Sequence, residues 1–152
     1  MANRTRVFLV RHAKAEADHD RGDAARRLTA EGRERFRILL AELDGELEVG
    51  RILTSPYLRA RQTAQLLSAA SGRPVEEERA LEAGRSTGRD VLRLAERAGP
   101  GAVLVGHNPE MAEAVSLAAG RIEEVKPGAV AAVDLGPGGP TLAWLRRPPR
   151  RG

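Results

Sequence analysis

Cysteine is absent from this chain of 152 residues. Disulfide frameworks, thiolate zinc sites, iron–sulfur clusters and cysteine nucleophiles are therefore excluded. Histidine is nearly as scarce, with His12, His19 and His107 as the full set, so no all-nitrogen metal centre is expected. Aromatic residues amount to one Trp, one Tyr and two Phe, too few for a base-stacking platform. Long apolar runs are missing as well: the first, VFLV, is broken after four residues by Arg11 and His12. The chain carries neither the signature of a signal peptide nor that of a membrane span, and a cytoplasmic location is the default expectation.

Lysine occurs only as Lys14 and Lys126, so arginine supplies nearly all of the positive charge behind the formal +4 and the pI near 10.5. A basic protein attracts polyanions. Here the Ala/Gly/Arg/Pro-rich composition accounts for the charge more simply than a nucleic-acid-binding face, and nucleic acid is not an expected partner. Hydrophobic residues make up 41% and charged residues 30%, the balance of a water-soluble globule rather than a disordered or membrane chain. The length suits one domain with a core that needs no metal or disulfide staples.

Short apolar strands alternate with helical periodicity. Val7 to Val10 reads as a strand buried on both faces, and residues 30 to 43 as a helix capped by Thr29 with Phe36, Leu39, Leu40 and Leu43 on one face. Arg51 to Thr54 reads as a second strand running into a helix, with Ser55 as expected cap and Pro56 as expected first helical residue. A short extended stretch at 75–78, a helix at 88–98 and a third buried strand at Ala102 to Val105 follow. Asn108 and Pro109 repeat the cap-then-proline start. Residues 129–135 and 141–146, joined by GPGGP, read as a hairpin. The expected fold is one α/β domain over residues 1–146, a three-layer α/β/α arrangement. Its sheet is mostly parallel with an antiparallel edge hairpin. The basic tail, residues 147–152, reads as disordered.

In such sheets ligands bind beyond the carboxyl ends of the strands. Three of those ends carry Arg11 with His12, then Ser55 to Arg59, then His107 with Asn108. Two histidines and at least two arginines would thus meet at one edge, next to helix N-termini that favour anions. This is the chemistry of a phosphate or sulfate site. No carboxylate cluster accompanies it, so a magnesium-dependent mechanism lacks its ligands and no metal or cofactor is expected. His19, in the polar run ADHDRGDAA, reads as a surface-loop residue.

Three ordered segments carry a family resemblance. LVRHAKAE resembles the RHG signature of the histidine phosphatase (phosphoglycerate mutase-like) superfamily, with Ala13 standing where many members have glycine. SPYLRARQTA resembles its second block, and VLVGHNPE its third. With RRLTAEG and the short chain length, the pattern looks most like the SixA-type phosphohistidine phosphatases. The resemblance implies a phosphoglycerate mutase-like fold with His12 as a nucleophile that becomes transiently phosphorylated. It also implies that Arg11, Arg59 and His107 hold the phosphoryl oxygens and that Arg26 is a further phosphate contact. Relatives acting on phosphate esters place a glutamate two residues after a leucine between the second and third blocks. Here Glu82 follows Leu81 directly, so Glu82 is either a general acid or a loop carboxylate without a role. The implied activity is metal-independent phosphatase chemistry on phosphohistidine in a signalling or phosphotransfer protein. The alternatives are a small-molecule phosphomonoesterase or a noncatalytic phosphate-binding or nucleic-acid-binding module.

Overall fold

The computed structural model describes residues 5–150. Six strands form one sheet: β1 (Thr5–Arg11), β2 (Arg51–Thr54), β3 (Val75–Glu77), β4 (Ala102–Gly106), β5 (Val130–Gly136) and β6 (Gly139–Arg146). Their order is β3-β2-β4-β1-β5-β6. The first four are mutually parallel, whereas β5 runs antiparallel to β1 and β6 antiparallel to β5. The parallel sheet with an antiparallel edge hairpin is the architecture that the alternation of strands and helices implies.

Four helices cover the two faces: α1 (Ala30–Glu42), α2 (Leu58–Ser71), α3 (Gly88–Ala98) and α4 (Glu110–Ala119). Because side chains alternate across a strand, Phe8 and Val10 pack with α1 and α2, while Val7 and Leu9 pack with α3 and α4. Both faces of β1 are thus buried, which is why VFLV is apolar without alternation. Phe36 of α1 is fully buried in the first of these layers, where truncation to alanine costs about 3–5 kcal/mol.

Helix starts follow side-chain capping in two cases. Thr29 Oγ1 accepts from Gly32 N–H at 2.9 Å, as expected. Thr87 and Asp90 form a reciprocal capping box at α3. The start of α2 differs from the expectation: it begins at Leu58 with Tyr57 as N-cap residue, leaving Ser55 and Pro56 outside the helix. Ser55 Oγ accepts from Tyr57 N–H at 3.1 Å and is bonded to a histidine ring, so its hydroxyl serves the site rather than a helix end. At α4 Pro109 holds the N-cap position, and Asn108 Oδ1 accepts from Ala112 N–H at 3.2 Å.

Residues 147–150 of the basic tail, read from sequence as disordered, follow β6 without regular secondary structure, and Pro148 lies against Gly128. Residues 151–152 of that tail lie outside the described residues.

Candidate active site

Strand register brings the two histidines together. Arg11 of β1 pairs with Gly106 of β4, so the next residue on each strand, His12 and His107, leaves the same edge side by side. Their ring centroids are 5.2 Å apart at an interplanar angle of 58°. The backbone around His12 is braced on every side. His12 N–H donates to Gly106 O at 3.0 Å, Ala13 N–H to buried Thr63 Oγ1 at 3.0 Å, and Gly128 N–H to the carbonyls of both Arg11 and His12. Gly32 lets the turn after His12 rest on the first turn of α1, since a Cβ there would stand 2.3 Å from Lys14 O.

His12 Nδ1 lies 2.7 Å from Ala13 O. A carbonyl can only accept, so Nδ1 carries the proton and Nε2 keeps its lone pair. That lone pair receives Arg59 Nε–H at 3.3 Å. Burial pushes the His12 pKa down to about 4; the hydrogen bond to the Ala13 carbonyl opposes it, and the individually weaker fields of Arg59, Arg11 and Arg26 add to the lowering. The ring is therefore neutral near pH 7, and its unprotonated nitrogen lies among cations.

Arg59 is 4% exposed and sits in the first turn of α2. Its Nη1 donates to Asp23 O at 2.7 Å and its Nη2 to Asp23 Oδ2 at 3.1 Å. The other oxygen of Asp23 accepts from Arg26 Nη1 at 2.8 Å, and Arg26 Nε donates to Glu16 O at 2.7 Å. Asp23 therefore bridges two of the expected phosphate-binding arginines. The hydrogen bond from Arg26, reinforced by Arg59, holds its carboxyl below the usual carboxylate range. Tyr57 lies under the Arg59 guanidinium, with 5.2 Å from Cζ to ring centroid, and meets the His107 ring edge-on at 5.0 Å.

His107 Nε2 is 2.8 Å from Ser55 Oγ, and its Nδ1 is buried with no hydrogen-bond partner among the described residues. Burial, with the fields of His12 and Arg59, pushes its pKa down to about 3. Arg11 anchors Nη1 on Val125 O at 3.0 Å while its Nε is buried with no hydrogen-bond partner among the described residues. Burial and the neighbouring Arg59 lower its pKa from the ordinary arginine value. The cluster thus offers a neutral ring nitrogen together with cationic donors, a combination suited to an anionic electrophile.

Of the residues singled out from sequence, His12, Arg59 and His107 meet directly. Arg26 joins through Asp23, and Arg11 acts on both histidines through its field. Glu82 follows the 3-10 turn Arg79–Leu81 and has no side-chain hydrogen bond or ion pair among the described residues. Leu81 O lies 3.7 Å from where a Cβ on Gly106 would be, which puts this loop on the strand that carries His107. His19 occupies the exposed loop, where its Nδ1 accepts from Arg21 N–H at 3.0 Å. Asp23, Tyr57, Thr63 and Glu110 were not singled out. Glu110 is 6% exposed at the head of α4 and accepts from Gly84 N–H at 3.2 Å, and burial raises its pKa. The sequence signal for Asp23 was its spacing, three residues before Arg26. No group of three or more His, Asp or Glu residues among those described is arranged to hold a metal ion.

An uncharacterised protein of Picosynechococcus is 39% identical over 116 residues, covering 70% of this chain and 68% of the relative. Phosphohistidine phosphatase SixA of Escherichia coli is 40% identical over 60 residues, covering 39% of this chain and 37% of SixA. The structure of a protein histidine phosphatase SixA complexed with tungstate superposes with a TM-score of 0.82 at 25% identity, covering 95% of this chain and 97% of the other. The shared architecture is the phosphoglycerate mutase-like fold. The family model for the histidine phosphatase superfamily (branch 1) matches residues 7–134, a span that takes in both histidines and all of the clustered arginines, and the chain belongs to that superfamily.

Proposed function

We propose that this chain is a phosphatase that works through a covalent intermediate on His12 Nε2 and whose substrate is phosphohistidine in a protein. The observation that carries the reading is the fixed tautomer of His12: Nδ1–H is held by Ala13 O, so Nε2 presents its lone pair among Arg11, Arg26 and Arg59. In the first step Nε2 forms a bond to phosphorus as the bond from phosphorus to the substrate's imidazole nitrogen breaks, and the substrate ring, already protonated on its other nitrogen, leaves as neutral imidazole. In the second, water attacks phosphorus, the bond to Nε2 breaks, and inorganic phosphate leaves. Arg11 and Arg59 offset the charge on the phosphoryl oxygens in both steps, and His107, neutral in this setting, contributes as a ring N–H donor rather than as a cation, since phosphoryl transfer depends chiefly on positioning and electrostatics.

Substrate class rests on two supports. Similarity to proteins described as phosphohistidine phosphatases is one. The other is the shortness of two connections at the site edge, where three residues join β2 to α2 and three join β4 to α4, so neither carries an inserted lid that would favour a small enclosed substrate. A small phosphate ester is the second reading, favoured by a carboxylate, Glu82, on the loop beside β4.

The test is hydrolysis of an aryl phosphate and of a phosphohistidine protein by wild type and His12→Ala, with neutral quenching and mapping of the adduct. Phosphate on His12 Nε2 and loss of both activities in the variant are expected. An adduct on His107, or full turnover without His12, overturns the reading.

A further inference from the structure

A band of cations lies along the flank of the site, and sheet register puts it there. β6 runs parallel to β1, with Arg146 paired to Val130 and Val130 paired to Val10. Segment 147–150 therefore leaves the sheet at the edge from which His12 projects. A Cβ on Gly128 would stand 2.8 Å from Pro148 Cγ, so the segment is seated on the residue whose N–H braces the Arg11 and His12 carbonyls. Between this arm, the start of α1 and the turn after His12 is a hollow of about 240 Å³ lined by Lys14, Arg35, Lys126, Arg147 and Arg150, beside buried Ala13.

These five cations outnumber the carboxylates that face them. Glu31 serves both Lys14, at 3.5 Å, and Arg35, at 2.9 Å, and Glu124 serves Lys126. Glu34 lines the adjoining hollow with Arg150. Arg147 and Arg150 have no ion pair among the described residues, although the field of Arg147 reaches Glu124. Arg35 Nε is buried with no hydrogen-bond partner among the described residues. The hollow contains no aromatic residue, so it lacks the stacking surface that single-stranded nucleic acid uses.

We propose that this rim is a docking surface for an acidic peptide segment that flanks the phosphorylated residue of a protein substrate, an inference that rests on the reading of a protein as substrate. Position and charge carry it together. The occupant of the hollow is adjacent to the backbone of the nucleophile, and a chain whose phosphoryl group enters the His12 cluster would lay its neighbouring residues across the rim. Carboxylates there meet guanidinium groups able to bind them bidentately. Long-range attraction by such a cluster raises encounter rates about 10- to 10³-fold at low salt and fades as the screening length shortens.

Two synthetic phosphohistidine peptides, identical except for flanking glutamates or flanking lysines, provide the test. Wild type and the double variant Arg147→Glu/Arg150→Glu are compared, both substitutions lying outside the phosphate cluster. Binding of the fluorescently labelled, unphosphorylated peptides is read directly by anisotropy, which needs no turnover. The glutamate peptide is expected to bind wild type at least about tenfold more tightly than the lysine peptide. That preference should vanish in the double variant and near 1 M salt, while turnover of an aryl phosphate is unchanged. Equal binding of both peptides by wild type, or an undiminished preference in the variant, overturns the proposal. Tighter binding of a single-stranded oligonucleotide than of the glutamate peptide also overturns it. If the glutamate peptide binds as expected but neither phosphopeptide is turned over, the rim stands and the phosphohistidine reading falls.

Discussion

Asp23 presents one carboxylate oxygen to Arg59, at 3.1 Å, and the other to Arg26, at 2.8 Å, so a single side chain occupies the guanidinium faces of two arginines that the superfamily pattern assigns to phosphate. The carboxylate is held ionised by these contacts, so it is an anion on the same donors that the proposed reading gives to a phosphoryl group. It cannot be a resting proton donor. A phosphoryl group entering the cluster competes with it.

Removal of that competing charge should tighten anion binding. In Asp23→Asn the backbone bond from Arg59 Nη1 to residue 23 O survives, so Arg59 keeps its anchor. The Asp23 side chain is half exposed, with 57% accessibility, and pairs of this kind are worth about 0.2–1 kcal/mol. Inhibition by inorganic phosphate should therefore strengthen about two- to fivefold in the variant. A weaker phosphate inhibition would show instead that the carboxylate aligns the two arginines for the anion.

Protonation of the two buried histidines ties folding to pH. An unfolded histidine titrates near about 6.5, whereas in the fold His12 is pushed down to about 4 and His107 to about 3. Below pH about 6.5 the unfolded chain binds protons that the folded chain refuses, so stability is full above that pH and is lost as pH falls toward the folded values. Each group contributes up to about 1.4 kcal/mol per pH unit. Urea midpoints measured between pH 6.5 and 5, above the range in which ordinary carboxylates titrate, should fall with acidification. His107→Asn should flatten the dependence. A wild-type profile that is level across this window would contradict the neutral, buried state of the pair.

Strand ends were legible in the sequence because they depend on local pattern. VFLV before Arg11 and AVLV before Gly106 are apolar runs that stop where the backbone leaves the sheet, and parallel pairing of those strands then brings His12 to His107 without further information. Ser55 was harder. A serine followed by proline reads as a helix cap by propensity, yet its hydroxyl is taken by Tyr57 N–H and His107 Nε2, a partner 52 positions away that no local rule contains. Glu110 carries no local signal of burial, since its partner Gly84 is brought to the head of α4 by a loop 26 positions away. The seat of residue 148 was hidden for the same reason: RRPPRR has the composition of a disordered segment, and the contact of Pro148 is with Gly128, remote in sequence.

Leaving-group chemistry separates the two substrate readings through Glu82. An alkoxide must be protonated as it departs, so ester cleavage at neutral pH leans on a placed acid, an effect of about 10²- to 10⁴-fold. A phosphohistidine ring nitrogen can carry its proton before the bond to phosphorus breaks, and then leaves as neutral imidazole. Glu82 has no hydrogen-bond partner that fixes its carboxyl among the described residues, and it stands one residue nearer Leu81 than the ester-cleaving pattern requires. Wild type should thus show a kcat/KM for a phosphohistidine peptide at least about 10²-fold above that for a primary alkyl phosphate. Glu82→Gln should leave the first value within about twofold and change the second little, because an acid that is not in place cannot be lost. Comparable wild-type rates on both substrates, with only the ester rate collapsing in Glu82→Gln, would show the loop delivering Glu82 to the leaving group. The chain would then be a phosphomonoesterase whose acid has moved one position along its loop.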